Sequence, residues 1–313
     1  MNNFEIFADS SANIPDSLVK KHRINIVPYS CTVNGEERLC YEKDMAFIDT
    51  AKKYYADMRG GADVKTSLVG EQRIIDAVKP CMQAGSDVVF VTISSGISGT
   101  YAQALKAKET LEKQFNGCKM YVCDSANASM GQGLQVLKLA DLRDMGESAE
   151  TCAKWVEQNA YKINSFVTVE DLKYLRKGGR VSTVAAIAGT ILNIKPLLWA
   201  NGTTPARLTM FGKVRGRKKA INALADAFRE TAENIGSTPV AIAHGDCEEE
   251  ALALAEILKD EGVNDVIVEY YDLCTGSHVG PGTIALFFYG KDRRRSAAEA
   301  QKKTAMKTAA QKI

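Results

Sequence analysis

The sequence predicts an α/β protein made of two units, with mostly parallel or mixed sheets. Short apolar runs alternate along the chain with segments whose apolar residues recur at helical spacing. Small hydroxyl and acidic residues directly follow several of these apolar runs. The 313 residues, 45% hydrophobic and 25% charged, have the composition of a globular protein and are enough for two ordinary domains.

The first unit, expected to span residues 1–163, reads as repeated strand–helix pairs. We predict strands at 4–8, 24–28, 88–93 and 120–123. We predict helices from 14 onward and at 45–58, 71–82, 102–108 and 129–145. Residues 31–45 are expected to form a hairpin with Asn34-Gly35, a favoured turn dipeptide, at its tip. Such alternation favours a mostly parallel sheet covered by helices.

The second unit, expected to span 164–290, mixes the same elements with a hairpin. Strands are predicted at 165–169, 239–243, 266–271 and 283–288, and helices at 171–177, 217–234 and 248–260. A hairpin of 195–199 and 206–211 turns around Asn201-Gly202. The apolar segment 184–192 is expected to be helical and either to line a tunnel, through Ile187, Ile191 and Leu192, or to pack in the core. Residues 291–313 form a basic tail, a solvated helix or disordered segment.

The stretch 87–113 offers the best candidate site in the first unit. An apolar strand runs into a turn of small hydroxyl residues, Ser94 to Thr100, and then into a helix. The first N–H groups of a helix lack intrahelical partners and favour an anion such as a carboxylate or a phosphate. Ser98 and Thr100 add hydroxyl donors. The alternative is that Ser98 only caps its helix. Asp9-Ser10 and Asp124-Ser125 also follow strands, so we expect them at the same sheet edge.

Several function classes find no support in the sequence. The eight cysteines have no zinc-ligand spacing, and neither a P-loop nor a G-x-G-x-x-G motif is present, so we expect no metal and no cofactor. The tail has eight Lys/Arg against two Asp/Glu, which leaves the body slightly acidic and argues against nucleic-acid binding. No leader or membrane-length apolar run is evident, so we expect a cytoplasmic protein.

A serine hydrolase or phosphotransferase remains the alternative from residue chemistry alone. The segment Gly96-Ile97-Ser98-Gly99 is one residue short of the G-x-S-x-G nucleophile elbow. His244 or His278 would then serve as the base.

Beyond these patterns, the body of the chain, about residues 4–290, resembles the DegV family, bacterial fatty-acid-binding proteins of the FakB type. Motifs match in the family's order, and their spread makes the resemblance specific. They are Ala8-Asp9-Ser10-Ser11 with Ile14-Pro15, Lys65-Thr66-Ser67, Ser94 to Tyr101, Asp124-Ser125, Leu172 to Ser182, Leu192 to Pro196, Arg215 to Ala220, and His278 to Thr283.

The resemblance implies a ligand tunnel between two α/β domains that holds one long-chain fatty acid. It implies that Ser98 and Thr66 hold the acyl carboxylate, with Ser95, Gly99, Thr100 and His278 around it. Such proteins are not enzymes but carriers, which present the carboxylate to a separate fatty acid kinase for acyl-phosphate formation and phospholipid synthesis.

The same resemblance ties His278 and Arg215 to the kinase, and we expect Arg180 to face that partner too. For Arg180 the alternative is a solvated charge at a helix end. Transient membrane contact and a monomer or loose dimer are further expectations. Two features depart from the family: Thr66-Ser67-Leu68-Val69-Gly70 replaces the usual TSQPS, and the basic tail is unusual.

Overall fold

The computed structural model describes residues 4–180 and 193–295. Its strands are β1 (Phe4–Asp9), β2 (Ile24–Val27), β3 (Ser30–Val33), β4 (Glu36–Leu39), β5 (Val64–Ser67), β6 (Asp87–Thr92), β7 (Met120–Asp124), β8 (Ile163–Thr168), β9 (Ile194–Ala200), β10 (Leu208–Arg215), β11 (Val240–His244), β12 (Val266–Tyr270) and β13 (Ile284–Tyr289). Its α-helices are α1 (Asp16–Lys21), α2 (Phe47–Arg59), α3 (Glu71–Gln83), α4 (Thr100–Gln114), α5 (Met130–Asp144), α6 (Ala149–Asn159), α7 (Lys173–Gly178), α8 (Arg217–Thr231), α9 (Glu248–Asp260) and α10 (Leu273–Val279).

A parallel four-stranded sheet in the order β2-β1-β6-β7 forms the centre of the first unit. All of its strand pairs are parallel, with Ala8 opposite Val91 and Thr92 opposite Asp124. The interior strands are nearly all apolar and buried because helices cover both faces of the sheet. The predicted parallel sheet is therefore confirmed, and its carboxyl edge carries the turn that follows β6.

A small antiparallel sheet, β4-β3-β5, stands beside the first sheet. The predicted hairpin is present, and Asn34 and Gly35 both take positive φ angles, of 53° and 91°. Strand β5 was not predicted. Thr66 lies in this strand, shortly before α3, and pairs with Cys31 of β3.

The second unit is a mixed six-stranded sheet in the order β10-β9-β8-β13-β11-β12. Strand β13 runs antiparallel to both of its neighbours, β8 and β11, whereas β11 and β12 are parallel. Helices α8 and α9 pack on this sheet through apolar faces that include Leu224, Phe228 and Leu254. The predicted hairpin of β9 and β10 is confirmed.

The sequence patterns missed helices α6 and α10. Helix α6 has a serine cap, since Ser148 accepts a hydrogen bond from the N–H of Thr151 at 3.1 Å. Helix α10 begins at the cap Asp272, whose carboxylate accepts bonds from two backbone N–H groups. His278 lies half-buried in the last turn of α10. The predicted helix 184–192, with its tunnel candidates, lies outside the described residues.

The start of the predicted tail is anchored to the body. Arg293 is 1% exposed and donates hydrogen bonds to the carbonyls of Asn201 at 2.9 Å, Ala126 at 3.0 Å and Ala160 at 3.3 Å. Its guanidinium also lies over the ring of Tyr161. The prediction that the tail is solvated from residue 291 onward is therefore wrong for Arg293. None of the helices in 4–180 and 193–295 has the length and hydropathy needed to cross a membrane.

Candidate functional site

A triangle of hydroxyl groups lies at the turn between β6 and α4. The phenol of Tyr29 lies 3.1 Å from Ser98 Oγ and 2.6 Å from Thr100 Oγ1, and the Ser98 and Thr100 oxygens are 3.0 Å apart. The hydroxyl of Thr100 also accepts from the N–H of Val69 at 3.3 Å. Tyr29 and Thr100 are buried, whereas Ser98 is half-buried. Ser98 is thus the member of the triangle that reaches toward open space.

The alternative that Ser98 caps its helix is wrong, because the N-cap of α4 is Gly99 and Ser98 lies one residue before it. Its Oγ accepts a hydrogen bond from the N–H of Thr100 at 3.3 Å. A hydroxyl oxygen has two lone pairs and one hydrogen, so accepting from the backbone leaves the hydrogen free to donate. This bond to the start of α4 is therefore compatible with ligand binding by Ser98.

A buried carboxylate fixes where the turn begins. Asp9, at the end of β1, accepts from the N–H of Ile93 at 2.8 Å and from Gln132 at 3.2 Å. Burial raises the pKa of Asp9 to about 6, although its hydrogen bonds oppose that rise. The predicted meeting of Asp9 with the β6 turn at one sheet edge is confirmed by this contact.

Two other residues of the turn take different positions from Ser98. The N–H and hydroxyl of Ser95 both donate to the carboxylate of Asp124. A ligand carboxylate at Ser95 would meet that negative charge, so the geometry does not favour Ser95 as a ligand. Gly99 is exposed and lies beside Leu68, the residue where the chain departs from the family's motif.

Thr66 and His278 meet from distant parts of the chain. The Oγ1 of Thr66 lies 3.0 Å from the Nε2 of His278, and both residues are half-buried. Burial, together with the charge of Arg180, lowers the pKa of His278 to about 4, so the imidazole is neutral at pH 7. Helix α7 packs against α10 at this point, and Gly178 leaves room for the imidazole.

A cavity opens between the two units beside these groups. It encloses about 660 Å³ of space between protein atoms, part of it open to solvent. Most of its wall is apolar and comes from the loops after β6 and β7, from β8, β10 and β13, and from α7 and α10. The lining residues are Ile97, Ala126, Asn127, Ala128, Ser165, Val167, Leu175, Arg180, Ala200, Ala206, Arg207, Leu208, Tyr271, Thr275, His278, Val279 and Phe287.

The charged residues that line this cavity are both positive. Arg180 and Arg207 line it, both exposed, and none of its described lining residues is acidic. Ile97, the neighbour of Ser98, and His278, the partner of Thr66, line it as well. Ser98 and Thr66 are not among the lining residues themselves, but each is next to one that is. The arrangement suits a molecule with one anionic end and an apolar body.

The residues expected to face a partner do not all lie together. Arg180 and His278 share the cavity, and Arg180 hydrogen-bonds the carbonyl of Gly178. Arg215 is exposed at the end of β10 and is not among the cavity-lining residues. Within 4–180 and 193–295, no group of three or more His, Cys, Asp and Glu residues is arranged to hold a metal ion.

Sequence reasoning missed two residues of this site, Tyr29 and Arg207. Tyr29 follows Pro28 at the end of a predicted strand, which was the available signal for a residue at the sheet edge. Arg207 follows the loop of the second hairpin, and nothing local distinguishes it from a surface arginine. Its place on the cavity wall depends on how the two units pack.

A family model and several curated proteins match almost the whole chain. The family model described as "Uncharacterised protein, DegV family" matches residues 3–291. A DegV domain-containing protein from Clostridium perfringens is 35% identical over 291 residues, 93% of this chain and 98% of that protein. A second, from Lactococcus lactis, is 32% identical over 93% of this chain and 99% of its own length.

Solved structures show the same architecture. A DegV family protein from Thermus thermophilus, described by its fatty acid binding, has a TM-score of 0.81 and 26% identity, covering 92% of this chain and 100% of its own. A Thermotoga maritima protein, whose structure is described as revealing a fatty acid binding function, has a TM-score of 0.80 and 26% identity, over 93% of this chain and all of its own. The match across nearly the whole chain and the shared architecture give one conclusion: this chain belongs to the DegV family.

Proposed function

We propose that this protein binds a long-chain fatty acid in the cavity between its two units and presents the carboxylate to a separate fatty acid kinase. The observation that carries the proposal is the cavity itself: an apolar wall, two arginines, no acid among its described lining residues, and Ser98 and Thr66 next to the lining residues Ile97 and His278. The DegV proteins from Thermus thermophilus and Thermotoga maritima, described as fatty acid binding, support the same ligand class.

The hydroxyl triangle can direct one hydrogen at the ligand. Tyr29 donates to Ser98, and if Thr100 donates to Tyr29, the hydrogen of Ser98 is free to donate to a carboxylate oxygen. Chains of this kind polarise one another and strengthen the last bond. Tyr29 and Thr100 are then positioning residues for Ser98.

Thr66 completes the second half of the carboxylate site. With Nε2 protonated, the neutral His278 donates to Thr66, whose own hydrogen is then free for the ligand. Arg180 and Arg207 add favourable charge without a fixed ion pair to the carboxylate. A carboxylate held by hydroxyl groups remains reactive toward a phosphoryl donor, which suits a carrier that hands it to a kinase.

The apolar tail supplies the affinity. Burial contributes roughly 0.8 kcal/mol per methylene, so a chain of about 16 carbons contributes on the order of 10 kcal/mol before entropy costs. Hydrogen bonds at the carboxylate fix the orientation and the end that faces the kinase.

The contacts of Ser98 favour binding over hydrolysis. Its side-chain partners are Tyr29 and Thr100. Burial holds the pKa of Tyr29 well above its usual value, so this phenol stays protonated and cannot take a proton from Ser98. The two histidines proposed as a base are placed elsewhere: His278 contacts Thr66, and His244 accepts from the N–H of Cys247.

The test compares three variants that each remove one hydroxyl. Ser98→Ala and Thr66→Val should each weaken fatty acid binding about 10- to 150-fold, since a hydrogen bond to a charged group contributes roughly 1.5–3 kcal/mol. Ser95→Ala is the matched control, because its hydroxyl is bonded to Asp124. Fluorescence displacement with a fatty acid probe measures the affinities. Unchanged binding in both Ser98→Ala and Thr66→Val would refute the assignment of the carboxylate site.

The kinase step has its own readout. His278→Ala removes the partner that orients Thr66, so its fatty acid affinity should fall about tenfold; at a saturating fatty acid concentration it should still bind the ligand but lose acyl-phosphate formation when mixed with a fatty acid kinase, ATP and Mg²⁺. Hydroxylamine traps the acyl phosphate as a hydroxamate that can be counted. Arg215→Ala, outside the cavity, should keep its full fatty acid affinity and also lose product. Wild-type hydroxamate yields from both variants would contradict the presentation role.

A further inference from the structure

A buried arginine in the segment after β13 connects the two units beside the fatty acid cavity. Arg293 is 1% exposed, and its guanidinium lies 5.3 Å from the centre of the Tyr161 ring. Burial lowers the pKa of Arg293 to about 10, so the side chain remains charged at pH 7. Its hydrogen-bond partners in the part of the chain that the structure describes are three backbone carbonyls and no carboxylate. A buried charge is costly without such bonds, so they hold this side chain in place.

The two ends of the guanidinium contact different units. Nη1 of Arg293 donates to the carbonyl of Asn201 at 2.9 Å, in the hairpin loop of the second unit. Nη2 donates to the carbonyls of Ala126 at 3.0 Å and Ala160 at 3.3 Å, both in the first unit. The guanidinium is planar and rigid, so it fixes the distance between these carbonyls. Arg293 therefore holds the loop after β9 beside the loop after β7.

Both of these loops form part of the wall of the fatty acid cavity. Ala126 lines the cavity from the first unit, whereas Ala200, Ala206 and Arg207 line it from the second. The hairpin loop keeps its shape because Asn201 Oδ1 accepts from the N–H of Arg207 at 3.0 Å, and the N–H of Asn201 donates to the Arg207 carbonyl at 2.9 Å. Movement of the Asn201 carbonyl therefore moves this part of the wall with it.

Polar contacts also hold the rest of the hairpin loop to the first unit. The hydroxyl of Ser94 donates to the carbonyl of Ala206 at 2.7 Å, and the phenol of Tyr161 donates to the carbonyl of Thr203 at 3.1 Å. Residues 203–205 are exposed, so little apolar burial holds this part of the loop. The position of the loop therefore depends on a few hydrogen bonds, and the loss of those from Arg293 loosens it.

We propose that Arg293 is a positioning residue of the fatty acid cavity: it latches the hairpin loop of the second unit onto the first unit and thereby slows the escape of the bound fatty acid. The inference rests on the proposed function, because the escaping ligand is the fatty acid. Without the latch, the loop carries Ala200, Ala206 and Arg207 away from the opposite wall. The cavity then opens along this side, and the fatty acid leaves faster.

The experiment measures how fast a fluorescent fatty acid probe leaves the full-length protein when excess serum albumin captures it. Arg293→Met keeps a long unbranched side chain and removes the guanidinium with all three carbonyl bonds. We expect its dissociation rate to rise roughly tenfold or more, the effect of one hydrogen bond from a charged group. Arg293→Lys keeps the charge and part of the bonding, so its rate should lie between those of wild type and Arg293→Met.

Two controls separate the latch from general stability. Arg294→Met removes the neighbouring arginine, which is exposed and pairs with Asp292, and should leave the dissociation rate unchanged. Leu258→Ala creates a hole under α9, in a core cluster whose residues do not line the cavity. It should lower the melting temperature and keep the wild-type dissociation rate.

Hydrogen exchange of the ligand-free proteins, followed by mass spectrometry, tests the latch without the fatty acid. Residues 201–207 should exchange faster in Arg293→Met than in wild type, because the loop is no longer held to the first unit. The same residues should exchange at the wild-type rate in Leu258→Ala, whose lost contacts lie elsewhere.

A dissociation rate in Arg293→Met within about twofold of wild type would overturn this inference alone. An equal rate increase in Leu258→Ala would also overturn it, since general stability would then explain the effect. If Arg293→Met fails to fold, Arg293→Lys decides: a wild-type dissociation rate together with wild-type exchange of 201–207 would overturn the latch. A wild-type protein that does not bind the probe would overturn the proposed function and this inference with it.

Discussion

Gly178→Ala separates the stability of helix α7 from the geometry of the site. Gly178 is the last residue of the helix, and alanine is about 1 kcal/mol more favourable than glycine in a helix interior. A Cβ there, however, would overlap Nδ1 of His278 and lie 3.3 Å from its Cγ. The imidazole must move, and its 3.0 Å contact with Thr66 breaks. The lost hydrogen bond costs roughly 0.5–1.5 kcal/mol, so the two effects nearly cancel in unfolding free energy.

Binding shows no such cancellation. Thr66 loses the partner that orients its hydroxyl, so we expect fatty acid affinity in Gly178→Ala to fall about tenfold while the melting temperature changes little. Gly179→Ala is the matched control one residue away. Its φ of 65° strains an alanine by roughly 1–2 kcal/mol, but nothing lies within 4 Å of the added Cβ. Gly179→Ala should therefore lower the melting temperature and keep wild-type affinity.

Fluorescence displacement and thermal melts of the two variants, side by side, are the assay. The expected result is a crossed pattern, with binding lost in Gly178→Ala and stability lost in Gly179→Ala. Wild-type affinity in Gly178→Ala, with a crystal structure showing the Thr66–His278 contact intact, would refute the reasoning.

Three further predictions follow from buried contacts. Thr100→Val removes a hydroxyl shared by Tyr29 and a backbone N–H and should cost about 1–3 kcal/mol in urea unfolding. Deleting 296–313 should leave the melting temperature unchanged, whereas deleting 291–313 should lower it by several degrees because Arg293 is lost. The pKa of His278 is about 4 when folded, so its neutral form stabilises the fold above the unfolded pKa of about 6.5, and this contribution is lost as pH falls toward 4. His278→Gln should therefore gain stability relative to wild type, on the order of 3 kcal/mol, between pH 6.5 and 4.

The elements with strong local patterns could be predicted from the sequence. Apolar runs and helical periodicity placed β1, β6 and β7, and the paired turn residues Asn34-Gly35 placed the hairpin. The hydroxyl-rich turn ending at Thr100 marked the candidate site because hydroxyls and free N–H groups at a helix N-terminus can hold an anion. Local sequence was sufficient for those strands and turns whose conformation is set by their own residues.

What the sequence could not supply depends on long-range packing. Thr66 and His278 are 212 positions apart, and their contact arises because β5 pairs with β3 while α10 packs beside it. Helix α10 carries a threonine and a glycine in its interior, both weak helix formers, and it exists because Asp272 caps it and its neighbours bury it. Arg293, in a polar tail, is buried only because three carbonyls from separate elements meet there.

Denaturing mass spectrometry of the purified protein, with extraction and counting of bound lipid, tests the central claim most directly. The account predicts close to one long-chain fatty acid per wild-type chain and its loss from the double variant Ser98→Ala/Thr66→Val, with the fold retained by circular dichroism. Wild-type protein that carries no fatty acid and fails to take one up on incubation would contradict it. So would a double variant that still purifies with a full equivalent.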